Sequence, residues 1–183
     1  DKIDLKKLPI VQKSGDESLT FKSTDLKYYL SDFWQWSVSD ILSNATRGVF
    51  AEFIVATALG LDLKNVREEW AAWDLESPEG IKIEVKSASY VQRWFQKDYS
   101  KISFSIKARS ADVYVFCLLH NKDKTTIDPL NLDQWEFYVV SINTLNAYTR
   151  SRHSITLPSL RNLTGAVSYD LLGDAIRNMK HTP

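Results

Sequence analysis

Apolar and polar positions change their period several times along this chain, and each change predicts an element. Residues 1–23 show no sustained period and hold a polar turn from Ser14 to Ser18, so they are expected to form an irregular arm. Thr24 and Ser31 stand where helix N-caps are wanted, ahead of short helices through Leu30 and Leu42. Phe33, Trp34 and Trp36 are expected to pack those helices onto the core. The longest helical stretch starts at Asn44 or Thr46, carries Glu52 as the only charge from Val49 to Leu61, and meets a stop at Gly60. Strand patterns follow: Ala71 to Leu75, a turn at Ser77-Pro78-Glu79-Gly80, then Ile81 to Ser89. A short strand is expected at Ile102 to Ile106. Asp112 to Leu119 is continuously apolar, as suits a central strand covered on both faces. Asn121 to Asp133 reads as a polar loop, Gln134 to Ile142 as a strand, and Asp170 to Met179 as an amphipathic helix. These elements predict one α/β domain over 1–183, a mixed central sheet flanked by helices, with core elements from 44 to 119 and further strand and helix elements from 134 to 183.

Composition narrows this picture. The apolar fraction is 44% and the charged fraction 25%, which suits a globular chain with a sizeable core. No apolar run approaches the ~18 residues of a membrane helix, so no membrane partner is expected. The single Cys117 lies within an apolar run and reads as a buried structural thiol, consistent with a reducing, cytoplasmic setting.

The net charge is zero, yet the charges are unevenly placed. From Asp62 to Glu79 there are six acidic and two basic residues, and from Lys82 to Arg109 seven basic and two acidic. An acidic cluster beside a basic stretch suits a metal site facing a polyanion, and equally a pair of solvated faces. Within the basic stretch Arg93, Trp94, Lys97 and Lys101 mix cations with an aromatic, as phosphate and base contacts require; a solvated helix is the alternative.

The strand from Ile81 alternates: Ile81, Ile83 and Val85 point one way, Lys82, Glu84 and Lys86 the other. A hairpin through Pro78 and Gly80 would bring Asp74 close to Glu84. Two carboxylates within ~5 Å repel by about 3 kcal/mol at an effective dielectric near 20. Such a pair calls for a shared proton or a bound cation. Hard oxygen ligands favour Mg²⁺ or Mn²⁺. Lys86 beside that cation could steady a water or a phosphate charge. The competing reading is a cross-strand salt bridge on a solvated sheet face, which leaves the isolated acid Glu52 unexplained.

Asp74, followed by Glu84-Val85-Lys86 after a short hairpin, resembles the PD-(D/E)xK motif of the restriction-endonuclease-like nucleases, with Trp73 where that motif often has Pro. The resemblance covers roughly Arg47 to Leu119. It implies a restriction-endonuclease-like fold and a Mg²⁺-dependent endonuclease that hydrolyses phosphodiester bonds, in DNA rather than RNA, through a metal-activated water. It implies that Asp74 and Glu84 bind Mg²⁺ or Mn²⁺, that Lys86 assists the attacking water, and that Glu52 on the preceding helix adds another acid. Tyr90 and Gln92 fall where such nucleases often place residues at the edge of the site, packing being the alternative. One site per chain implies a homodimer for double-strand cleavage. The alternative function is a nuclease-like module that binds nucleic acid or assembles without catalysis.

Overall fold

The computed structural model describes residues 3–107 and 110–179; the expected basic residue Arg109 lies outside them. Contacts divide the chain into two compact units, one of Asp1–Ser39 with Asp62–Trp70 and one of Asp40–Leu61 with Ala71–Pro183.

The first unit departs from the sequence expectation. β1 (Ser18–Phe21) and β2 (Thr24–Tyr29) form an antiparallel hairpin where an arm and a helix were expected. Lys22 and Ser23 adopt positive φ of 48° and 62°, the left-handed pair that closes a two-residue hairpin loop. With the chain reversed there, 24–29 pairs back on β1, and Thr24 is no helix cap. α1 (Leu30–Val38) begins after Tyr29, whose amide donates to Asp32 Oδ2 at 2.7 Å, so Ser31 lies inside the helix instead of capping it. α1 buries none of its residues, and Trp36 is 85% exposed, so its aromatic cluster is not core.

The second unit carries the expected α/β architecture. α2 (Asn44–Ala58) ends at Gly60, where φ of +64° lets the Gly60 and Leu61 amides reach back to Thr57 and Ala56 carbonyls. The central sheet has the order β3 (Leu75–Glu76), β4 (Lys82–Ser89), β6 (Val113–Leu119), β7 (Trp135–Ser141). β4 and β6 are parallel, and the two outer pairings are antiparallel. β6 is buried along its whole length, as its unbroken apolar run demands. The strand expected from Ala71 shrinks to the two residues of β3, because the chain leaves the ladder upstream of Asp74.

Alternation sorts the sheet into two cores. Ile83, Val85, Val113, Val115, Cys117, Phe137 and Val139 face α2 and α5 (Tyr169–Asn178) through Ala51, Ile54, Val55, Leu172 and Ile176. Tyr114, Phe116, Leu118, Tyr138 and Val140 face a second layer. That layer is a ribbon of β5 (Ser103–Ser105) against β8 (Ser154–Thr156), with α4 (Leu157–Leu163) following it. α3 (Ile142–Ala147), β8 and α4 have no counterpart in the hydrophobic pattern, being too short to show a period. Gly173 of α5 lies so near α2 that a Cβ there would stand 2.5 Å from the Ala58 carbonyl oxygen.

Candidate active site

The Ser77–Gly80 turn builds the site. The Gly80 amide donates to the Ser77 carbonyl at 2.9 Å, with Gly80 at φ +83°, and the Ile81 amide donates to Ser77 Oγ. This closed turn sets β3 against β4 with Leu75 opposite Ile83 and Glu76 opposite Lys82. The Asp74 amide extends the ladder by donating to the Ile83 carbonyl at 3.0 Å. Beyond Asp74 the backbone no longer follows β4, which leaves the Val85 amide without a strand partner on that edge. Buried amides need an acceptor, and Asp74 Oδ2 supplies it at 2.7 Å. The Asp74 carboxylate is thereby fixed at the edge of β4, one residue from Glu84.

Glu84 and Lys86 share the face of β4 that includes Ala88, opposite Tyr114 and Phe116 in register. Lys86 Nζ donates to Glu84 Oε1 at 2.7 Å. The ion pair of the competing reading is present in another form: it runs along β4 instead of across strands, and it is partly buried, with the Lys86 side chain 28% and the Glu84 side chain 10% exposed. Desolvation offsets much of the attraction in such a pair, so its net contribution to stability is small.

Asp74, Glu84 and Lys86 thus come together through one hairpin. Glu52 is buried on α2, the helix that packs against Ile83 and Val85 on the opposite face of β4. Among the described residues no group of three or more His, Cys, Asp or Glu side chains is arranged to hold a metal ion. The hairpin brings two of the expected acids, Asp74 and Glu84, to β4 and its edge. Each carboxylate keeps one oxygen, Asp74 Oδ1 and Glu84 Oε2, outside the hydrogen bonds described. Two hard oxygens fit a Mg²⁺ or Mn²⁺ ion, which commonly takes one or two carboxylates and completes its shell with water and phosphate.

The chain after β4 is a loop, not the solvated helix weighed from sequence. Its base is pinned by glutamines. The Gln92 amide donates to Gln96 Oε1, Gln92 Nε2 to the Ser89 carbonyl, and Gln96 Nε2 to the Tyr90 carbonyl. Gln92 is buried and its Oε1 has no partner. Tyr90 packs edge-on against Tyr99, with Lys122 Nζ 4.5 Å from the Tyr90 ring. Beyond this base the loop presents Arg93, Trp94, Phe95, Lys97 and Lys101 to solvent. Arg93 is engaged: its Nε and Nη2 donate to Asp40 Oδ1 at 3.0 and 2.7 Å. Sequence reasoning missed Phe95, Tyr99 and Lys122; the first two stand beside Trp94 in the same stretch, whereas Lys122 reaches the loop only through the fold.

The family model of bacteriophage T4 endonuclease IV matches residues 3–153 of the chain. A search among curated proteins finds no match.

Proposed function

The chain belongs to the bacteriophage T4 endonuclease IV family, a nuclease family, and on that premise we propose that it is a metal-dependent endonuclease of the PD-(D/E)xK kind hydrolysing phosphodiester bonds in DNA. The observation that carries this reading is the hairpin that sets the Asp74 carboxylate on the Val85 amide beside the partly buried Glu84–Lys86 pair. Asp74 and Glu84 would hold Mg²⁺ or Mn²⁺ through their remaining oxygens. Bound there, the ion supplies Lewis acidity toward water and phosphate. Lys86 is a positioning and charge-stabilising group. Its ammonium offers three N–H donors and no lone pair, so it can donate to a phosphate oxygen while still touching Glu84. Held by strand geometry, it needs no rearrangement to meet negative charge as the phosphate is attacked. The exposed Trp94 and the cations around it would meet bases and backbone. Cleavage of both strands of a duplex would call for two copies of the chain.

The test combines turnover with metal binding. Wild type should cleave DNA with Mg²⁺ or Mn²⁺ and stop with EDTA. Lys86→Ala should remain folded, bind Mn²⁺ and DNA nearly as well, and cleave about 100- to 1000-fold more slowly in single turnover. Glu84→Ala should lose Mn²⁺ binding in calorimetry. A folded Lys86→Ala that cuts at the wild-type rate, or unchanged Mn²⁺ binding by Glu84→Ala, overturns the assignment.

A further inference from the structure

A second cationic site lies on the ribbon that covers the Glu84 face of the sheet. Between Glu136 and Asp170 the chain contains no acidic residue, yet it carries Arg150, Arg152 and Arg161, in a protein of zero net charge. Arg161 is spent internally, donating to Glu136 Oε1 and to the Tyr138 hydroxyl. Arg150 and Arg152 enter no ion pair among the described residues, nor does Lys107.

The fold gathers two of these cations. Ser105 pairs with Ser154 across the β5–β8 ribbon, and the Ile106 amide donates to the His153 carbonyl at 3.0 Å. This juxtaposes Lys107, leaving β5, with Arg152 and His153, entering β8. Ser151 Oγ accepts from the His153 and Ser154 amides and holds the turn before β8. Asn146 and Tyr148, at the end of α3, close the far wall. The result is a cleft of about 650 Å³ whose lining, among the described residues, includes Lys107, Arg152 and His153 and no carboxylate. That size is in the range of small-ligand sites. Like charges brought together without an internal counterion repel, and an anion from outside relieves that repulsion.

We propose that this cleft is a phosphate subsite for the nucleic-acid backbone, separate from the metal hairpin, with Lys107 and Arg152 as its principal contacts. The proposal rests on the nuclease reading for the identity of the anion. Its ribbon packs on the Phe116 side of the sheet, the side of Glu84 and Lys86. The cleft-bearing ribbon and the Glu84–Lys86 pair thus share one side of the sheet. The subsite would act on binding and leave the chemical step alone.

The experiment measures affinity of the full chain for a fluorescein-labelled DNA oligonucleotide in EDTA, across a series of salt concentrations. Each phosphate contact contributes about 0.7–0.9 to the slope of log affinity against log salt. Lys107→Ala/Arg152→Ala should lower that slope by roughly 1.4–1.8. Lys107→Arg/Arg152→Lys should restore it, and Lys22→Ala/Lys27→Ala, which removes the same charge from the β1–β2 hairpin, should leave it unchanged. Both cleft side chains are exposed, so the variants should melt like wild type. In single turnover with Mg²⁺ the cleft variant should need more enzyme for half-maximal rate and reach the same maximum. An unchanged slope, an equal fall in the hairpin control, or no binding of the oligonucleotide by wild type overturns the subsite. Wild-type protein that shows the slope change but never cleaves overturns the metal-hydrolysis reading and leaves the subsite standing.

Discussion

At the scale of single residues, the same side-chain type acts differently according to its partner. Arg93 looks like a free phosphate contact in the sequence, but the fold gives it Asp40 as a standing counterion. The hydrogen bond from Arg93 in turn holds the Asp40 carboxyl below the ordinary aspartate range. A lowered folded value means the pair is intact above the unfolded value of about 3.9 and is lost as pH falls through the lowered one. Arg93 is therefore held throughout the neutral range, and acid releases it only below the ordinary aspartate range. Asp40→Asn should release it at neutral pH. Removing Arg93 in wild type should then barely alter the salt slope of DNA binding, whereas removing it in the Asp40→Asn background should lower the slope by about 0.7–0.9. Equal effects in the two backgrounds would show that Asp40 does not restrain Arg93. Lys86 makes the complementary case, because its partner Glu84 belongs to the proposed site itself.

At the scale of elements, legibility in the sequence followed length and period. α2, β4, β6 and β7 were readable because burial of one or both faces imposes a pattern over seven or more residues. β8 and α3, of three and six residues, fall below that threshold, and the seven residues of α4 make fewer than two turns of a 3.6-residue period. The hairpin of the first unit was hidden for another reason: Lys22 and Ser23 take a left-handed turn that Asn-Gly would have announced. The Asp74-to-Lys86 hairpin was legible because Pro78 and Gly80 mark its turn and alternation fixes its faces. The position of Glu52 was not, since an acid on a buried helix can face any of several neighbours. Gly173 illustrates contact that no pattern reveals. Gly173→Ala improves helix propensity by about 1 kcal/mol, but places a methyl 2.5 Å from the Ala58 carbonyl oxygen. Backbone cannot yield as a flexible side chain can, so α5 must shift. Overpacking of this kind costs about 1–3 kcal/mol, and the net expectation is a lower melting temperature. A thermal melt at or above wild type would show that α2 and α5 separate at little cost.

At the scale of the whole molecule, no helix among the described residues is long and apolar enough to cross a membrane, and the residues of the proposed site all belong to the second compact unit. Parallel pairing of β4 with β6 obliges the chain to make a long crossover, and residues 90–112 are that crossover. Its first part is the aromatic loop, tied down at its base by Gln92, Gln96 and Ser100, with the Trp94 and Phe95 side chains of its tip exposed. The metal hairpin closes through its own bonds at Ser77, Ile83 and Val85, none of which involves the loop. The proposed reaction and the proposed nucleic-acid contacts thus reside on pieces of chain that can change independently. Replacing Arg93-Trp94-Phe95 by Gly-Ser-Gly should weaken oligonucleotide binding yet preserve Mn²⁺ affinity; loss of the metal as well would show the two pieces to be coupled. Relatives could in this way diverge in what they cut by rewriting one short tip, while inheriting the cutting machinery intact.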